Sequence, residues 1–168
     1  MKTPAITIRK AVVADLTRMQ EIFAIARTFM AETGNPHQWA ADYPSSQLLL
    51  QDMQSADSYV CECEGKIVGT FVLRGGEDPT YAKIYGGQWL SDQPYATIHR
   101  IASSREVKGI FQTAIRFALQ HFDAIRIDTH ADNKVMQQAI LKAGFQYCGI
   151  IHCWNGTERL AYQYCKPQ

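Results

Sequence analysis

The spacing of apolar residues along the chain predicts an alternation of strands and helices. Ile6 and Ile8 alternate with polar neighbours as in a half-buried strand, and apolar residues recur every three or four positions between Leu16 and Met30, as on one helix face. The same periods predict a helix over 48–53, strands at 59–63, 67–73 and 95–101, a helix over 111–119, a strand at 124–128, a helix over 136–143, and a hairpin at 146–153 and 158–164. This order predicts an α/β (α+β) fold around a mixed sheet.

Turn and capping residues agree with these boundaries. Asp15 lies near the start of the first long helix, where a carboxylate stabilises free amides and the positive end of the dipole, and the Gly-Asn-Pro sequence at 34–36 ends that helix. Asn133 is suited to cap the last helix, and Gly144 is suited to end it. The Asn-Gly pair at 155–156 predicts the turn of the final hairpin.

Composition limits the class of protein. A chain of 168 residues with 46% hydrophobic residues and a net charge of +1 predicts one domain, residues 1–168, with one core. The low net charge argues against disorder and against a general nucleic-acid binder, so no nucleic-acid partner is expected. The absence of a membrane-length apolar stretch or a signal-peptide pattern predicts a cytoplasmic protein with no membrane partner. Five cysteines, an odd number, exclude a complete intramolecular disulfide framework.

The segment over residues 99–110 carries the most specific chemical signal. It has the pattern of a strand end, a short polar loop and a helix start, where unpaired amides and the helix dipole bind phosphate. Gly109 would let the backbone approach a ligand, and Arg105 or Lys108 would add positive charge. On these residues alone, an ordinary structural turn is the alternative interpretation.

Residues on both sides of this loop match the sequence pattern of a known family. Residues 98–102 have the apolar-polar pattern of its central strand, and Asn133 is followed after eleven and twelve residues by Gly144 and Phe145. The hairpin at 65–69 is also similar. On these matches the chain resembles the GNAT superfamily of acyl-CoA-dependent N-acetyltransferases over nearly its whole length. The resemblance implies a mixed central sheet with helices on both faces, and a transferase that moves an acetyl group to an amine.

The resemblance also implies a binding site for acetyl-CoA as cosubstrate, with its pyrophosphate on the loop amides. The implied residues are Ile101, Ala102, Ser103, Ser104, Val107, Lys108, Gly109, Ile110, Phe111 and Asn133. Val107 stands where the family has its first loop glycine and Phe111 where it often has a small residue, which predicts a reshaped loop. Ile140 stands where many members carry a tyrosine acid, so that acid is absent here.

Direct attack of the amine on the thioester, which the resemblance implies, requires a proton acceptor. The candidates are His99, His130, Glu32 and Asp128. His130 is our first choice because it follows a strand end, where ligands bind in open α/β sheets, although a polar loop residue is the alternative interpretation. Tyr147 is the candidate acid for the departing thiolate, with a packed strand tyrosine as its alternative.

The acceptor is expected to be a small-molecule or peptide amine. Trp39, Tyr43 and Tyr81 fall in irregular segments that wall the acceptor site in the family, so they are the expected substrate-binding residues. An apolar cluster beneath long loops is the alternative for these aromatic residues. A homodimer is a further expected partner.

Two other functions stay open at the level of the sequence. The first is a non-catalytic, GNAT-like acyl-CoA-binding or regulatory module, which the unusual Val107, Phe111 and Ile140 would suit. The second is a metal or redox protein built on cysteines such as Cys61 and Cys63. Their spacing fits no common zinc pattern, so no metal is predicted.

Overall fold

The computed structural model describes residues 4–167 and contains every predicted strand and helix. The strands are β1 Thr7–Lys10, β2 Ser58–Cys63, β3 Lys66–Gly75, β4 Ala96–Ser103, β5 Ala124–Thr129, β6 Gln146–His152 and β7 Glu158–Cys165. The helices are α1 Leu16–Glu32, α2 Ser46–Gln54, α3 Ile110–Leu119 and α4 Lys134–Lys142. Short 3₁₀ turns cover Val13–Asp15 and Pro79–Tyr81. The α/β class predicted from the sequence is confirmed.

The seven strands form one mixed sheet in the order β1-β2-β3-β4-β5-β7-β6. Neighbouring strands are antiparallel except for β4 and β5, which run parallel. These two strands pair only through Ala96 with Ile125 and Thr97 with Arg126, and they diverge beyond those residues. The backbone edge of β4 after Thr97 therefore faces a gap in the middle of the sheet.

A bulge in β4 accompanies this divergence. The register between β3 and β4 shifts after Thr70, and Arg100 has a positive φ of 48°. A bulge adds an unpaired residue, bends its strand and strengthens the local twist. The bend in β4 therefore lies at the same level as the gap between β4 and β5.

Helices cover both faces of the sheet, as the family resemblance implies. Adjacent residues of β2 face opposite sides, so Val60 packs with the cluster under α1 and α2, whereas Cys61 packs with the cluster under α3. The amphipathic pattern of α1 buries Met19, Ile22, Phe23 and Ala26, and the pattern of α3 buries Ile110, Phe111, Ala114, Ile115 and Ala118. Within residues 4–167, no helix has the length and apolar content to span a membrane.

The capping residues behave largely as predicted. Asn133 Oδ1 accepts a hydrogen bond from the Met136 amide at 3.0 Å, so this residue caps α4. Asp15, in contrast, does not cap α1 with its side chain. It is buried, accepts two hydrogen bonds from Arg9 at 2.8 and 2.9 Å, and accepts the Val12 amide at 2.8 Å. The hydrogen bonds from Arg9 lower the pKa of Asp15 by more than burial raises it, so the net pKa is lowered. Asp15 therefore ties β1 to the start of α1.

Candidate active site

A cavity of about 450 Å³ opens where β4 and β5 diverge. Its walls come from the α1–α2 loop, the loop before β4, β4 itself, the end of β5, the start of α4 and the β6–β7 turn. Ligand sites in open α/β sheets commonly lie where neighbouring strands separate, so this cavity is the candidate active site.

The α1–α2 loop forms one wall with the aromatic residues that the sequence predicted. Trp39 and Tyr43 line the cavity, with ring centroids 5.8 Å apart, and Trp39 packs edge-on against Phe23 in the core. Gln38 fixes this loop to the opposite wall, because its Oε1 accepts a hydrogen bond from Asn133 Nδ2 at 3.0 Å. Asn133 thus both caps α4 and lines the cavity.

Tyr81 lies behind the cavity wall and not on its surface. It is only 1% exposed, it packs against Trp89 and Tyr95, and its hydroxyl donates a hydrogen bond to Asp128 Oδ2 at 2.6 Å. Burial, as the larger cause, and the nearby Asp128 carboxylate, as the smaller one, raise the pKa of Tyr81 well above its ordinary value. The satellite-cluster interpretation therefore describes this aromatic residue, whereas Asp128 itself lines the cavity.

A His–Asp pair lies at the floor of the cavity. His99 Nε2 is 2.8 Å from Asp78 Oδ2, and both residues line the cavity with side chains 21% and 13% exposed. Burial alone would raise the pKa of Asp78, but hydrogen bonds from His99 and Thr80 outweigh it and lower this pKa to about 2. A carboxylate that stays ionised holds Nε2 as the N–H donor, so Nδ1 keeps a free lone pair.

Arg100 and Asp52 form a second charged pair beside the first. Asp52, on α2, accepts hydrogen bonds from Arg100 Nε at 2.9 Å and from its terminal nitrogen at 2.7 Å, and a third from Arg74 at 3.3 Å. Asp52 is 2% exposed, whereas the Arg100 guanidinium reaches the cavity near the Tyr43 hydroxyl, 3.4 Å away. This pair joins α2 to the bulge of β4.

The predicted catalytic residues His130 and Tyr147 lie outside the cavity lining. His130 Nδ1 accepts a hydrogen bond from the Asp132 amide at 2.9 Å, which occupies its free lone pair. Burial, together with the nearby Arg159, also lowers the pKa of His130. Tyr147 is 49% exposed on β6 and packs edge-on against Tyr162. Their catalytic roles remain predictions that have no supporting contact within the described residues.

The predicted cofactor-binding residues lie in three kinds of position: at the cavity or along the adjoining edge of β4, in the core, and in the turn before α3. Ile101 and Asn133 line the cavity, and Ala102 and Ser103 continue the β4 edge beyond it. Ile110 and Phe111 are buried in the core, so only their backbone is available to a ligand. Ser104, Val107, Lys108 and Gly109 form the turn that leads into α3.

The backbone conformation of this turn suits a valine at position 107. Positive φ occurs at Arg105, 68°, and at Gly109, 94°, and not at Val107. Gly109 precedes the first residue of α3, where only a residue without Cβ adopts this conformation at no steric cost. The amides of Val107, Lys108 and Gly109 have no hydrogen-bond partner within residues 4–167. They are available to an anion together with the first amides of α3.

The cysteines do not assemble a metal site. No group of three or more His, Cys, Asp or Glu side chains with metal-binding geometry occurs in the described part of the chain. Cys61 and Cys63 pack in the core, and burial raises the pKa of the Cys61 thiol to about 12. Both residues behave as small apolar side chains.

Sequence reasoning missed Asp52, Asp78 and Arg159 as members of the site. Asp78 lies 21 residues before His99, and Asp52 lies 48 residues before Arg100. Each is one charged residue in a segment whose apolar pattern gave no reason to select it. His99 was considered as the base, and its cavity position is the feature that distinguishes it from His130.

Known structures extend the resemblance beyond short motifs. No protein-family model and no curated protein sequence matches the chain. The crystal structure of a GNAT-family acetyltransferase from Streptococcus agalactiae is 30% identical over 99% of both chains, with a TM-score of 0.89. A GNAT-family acetyltransferase from Listeria monocytogenes, 21% identical over 98% of both chains, shares the fold with a TM-score of 0.69. The protein therefore belongs to the GNAT family and is an N-acetyltransferase.

Proposed function

We propose that the protein transfers an acetyl group from acetyl-CoA to the primary amine of a small molecule or peptide by direct attack. The observation that carries this proposal is the His99–Asp78 pair, which lies in the cavity at the gap between β4 and β5. A proton acceptor thus lies beside a free strand edge that can hold an acyl donor. A cytoplasmic location, where thiols stay reduced, suits the five free cysteines.

The β4 edge is the proposed site for the donor's extended arm. Beyond Thr97 no described strand pairs with the backbone groups of β4 on the β5 side, so these groups can pair with the amides of pantetheine as a neighbouring strand would. Thr129 supports this placement from the β5 side. Its hydroxyl is fully buried, lines the cavity and lacks a hydrogen-bond partner among the described residues. Buried hydroxyls are normally hydrogen-bonded, so a ligand that reaches this depth would satisfy it.

The turn before α3 is the proposed site for the donor's pyrophosphate. Three successive amides, Val107 to Gly109, and the N-terminus of α3 supply donors without a large positive charge. This agrees with a chain whose net charge is only +1. Glu106, which lies within the turn, forms ion pairs with Arg18 at 2.6 Å and Lys66 at 2.5 Å, which offset its charge.

His99 is the proposed proton acceptor for the amine. An alkyl ammonium has a pKa of about 10.4, so most of the acceptor is protonated at neutral pH and must lose a proton before attack. Asp78 orients the ring through Nε2 and stabilises the imidazolium that forms when Nδ1 takes the proton. The thiolate leaves without an acid from α4, since Ile140 is fully buried and apolar. A thiol pKa of about 8.5 makes that departure feasible.

A thiol-release assay with acetyl-CoA and a panel of primary amines tests this function. We expect CoA release with at least one amine, and His99→Gln should lower kcat/KM by about 100-fold or more, the usual contribution of a general base. His121→Gln is the matched control, since this histidine is exposed at the end of α3 and should leave kcat/KM unchanged.

Calorimetry with acetyl-CoA separates donor binding from chemistry. The His99→Gln variant should bind acetyl-CoA like the parent protein, because its side chain is assigned to the proton and not to the donor. Full activity in His99→Gln would contradict the assignment of the base. No acetyl-CoA binding at millimolar concentration would contradict the proposed function itself.

A further inference from the structure

Arg159 is a buried cation that has no acidic partner among residues 4–167. It lies on β7, is 7% exposed and lines the active-site cavity. Its guanidinium donates to Thr157 Oγ1 at 3.0 Å and to the carbonyl oxygens of Glu158 and Gln38 at 3.2 and 3.1 Å. It makes no ion pair with any carboxylate between residues 4 and 167. These neutral contacts satisfy only part of the five-donor fork and leave the charge uncompensated.

The other arginines of the cavity and core have partners for their charge. Arg100 and Arg74 both pair with Asp52. Arg126 is buried as well, but its guanidinium lies 4.1 Å from the ring centre of Trp89 and 4.0 Å from that of Tyr95. Aromatic faces stabilise a desolvated cation, so the two rings offset part of the cost of burying Arg126. Arg159 has neither arrangement, and it faces the cavity.

Asp128 is the complementary group on the same wall. It lines the cavity, accepts a hydrogen bond from Tyr81 on one oxygen, and has no cationic partner in the region the structure describes. In the β5–β7 ladder Asp128 pairs with Ala161, two residues from Arg159, so both charged side chains leave the same face of the sheet. Such diagonal neighbours lie roughly 7–8 Å apart, with a somewhat shorter distance between their Cβ atoms. They are close enough for one small molecule to reach both.

We propose that the acceptor is an amino acid or a similarly small molecule that carries a carboxylate as well as its amine, which rests on the function proposed above. Arg159 binds the carboxylate, and Asp128 binds the ammonium group. His99 lies in the same cavity and takes the proton before attack. A zwitterion neutralises both unpaired groups at once, whereas a simple amine would leave Arg159 buried and unpaired. The carboxylate is therefore the feature that this cavity selects.

The test compares each amino acid with its decarboxylated amine. We expect the ratio of kcat/KM, acid over amine, to be at least about tenfold for the preferred pair, since hydrogen bonds between charged groups contribute that much or more. Arg159→Gln should reduce this ratio to near one, mainly through KM, and Arg159→Lys should retain part of it. Arg126→Gln is the matched control, because it removes a buried arginine outside the cavity and should keep the ratio.

Binding measurements keep this inference distinct from the proposed function. Calorimetry of the same acid–amine pairs, with CoA present, should show acid-selective binding that Arg159→Gln abolishes while acetyl-CoA affinity is retained. Acetyl-CoA binding in Arg159→Gln also shows that the variant is folded. Selective binding without CoA release would support the carboxylate site and contradict the acetyl transfer. Equal binding and turnover of acids and amines, or an unchanged ratio in Arg159→Gln, would overturn the carboxylate site alone.

Discussion

Replacing Asp52 with asparagine tests whether one buried ion pair stabilises the split in the sheet. The Asp52 carboxylate is 2% exposed and accepts three hydrogen bonds, two from Arg100 and one from Arg74. Asp52→Asn keeps the size of the side chain but removes its charge. The Arg100 side chain, only 11% exposed, then stays buried without a carboxylate.

The expected loss of unfolding free energy in Asp52→Asn follows from the difference in burial between Arg100 and Arg74. Removing one member of a buried ion pair costs about 3–5 kcal/mol, because the other charge stays desolvated. The Arg74 side chain is 44% exposed and can hydrate, so only the Arg100 contact carries this cost. We therefore expect a loss of about 3 kcal/mol. In a domain of this size, such a loss lowers Tm by roughly 6–12 °C.

Thermal and urea denaturation of the parent protein and two variants measure this effect. Asp57→Asn is the control, because Asp57 pairs with the exposed Arg74 at 3.0 Å and its own side chain is 24% exposed. A surface pair of that kind contributes at most about 1 kcal/mol. Equal losses in the two variants, or a loss below about 1 kcal/mol for Asp52→Asn, would refute the argument from burial.

Three further predictions, tested with four variants, concern other parts of the structure. Gly109→Asp and Gly109→Asn impose the same backbone strain at a φ of 94°, so they differ mainly in charge. We expect Gly109→Asp to bind acetyl-CoA about tenfold more weakly than Gly109→Asn in calorimetry, because only the aspartate adds a negative charge. The pKa of Asp78, about 2 in the folded state against an ordinary 3.8, implies stability that is present above about pH 4 and lost as pH falls towards 2. Asp78 should account for about 2 kcal/mol of the decrease in unfolding free energy over that interval, and Asp78→Asn, which has no carboxylate to protonate, should show a decrease smaller by that amount. Gly87→Ala would place its Cβ 2.0 Å from the Cys148 carbonyl oxygen, so we expect urea denaturation to show a loss of at least about 2 kcal/mol.

The sequence predicted the fold because its signals are local and periodic. The buried positions of α1, such as Met19 and Phe23, recur at helical spacing, and the order of the elements follows from a succession of such segments. The cavity positions of Trp39 and Tyr43 were expected from the family resemblance, in which the segment around the first two helices walls the acceptor site. Local reasoning also identified Val107 as a residue unsuited to positive φ, and the turn avoids that conformation there.

The charged pairs of the site were not predictable, because their partners lie far apart in the sequence and follow no periodic pattern. The contact between Arg100 and Asp52 spans 48 residues, and nothing in the pattern around either residue encodes its partner. Sequence reasoning selected His130 for its position after a strand, but that argument does not reveal that a neighbouring amide occupies its ring nitrogen. Long-range pairing in a split sheet depends on the register and the bulge, which appear only when the strands are assembled.

The bulge at Arg100 links the stability of the fold to the chemistry of the site. A residue other than glycine at a φ of 48° carries a backbone cost of order 1–3 kcal/mol, which persists only where the surroundings compensate for it. The ion pair with Asp52 is that compensation, and α2 supplies it from outside the sheet. The same bend separates β4 from β5, frees the strand edge assigned to the donor and directs the Arg100 guanidinium into the cavity. The strain at Arg100 is therefore offset by a contact with α2, on the far side of Arg100 from the β4–β5 pairing.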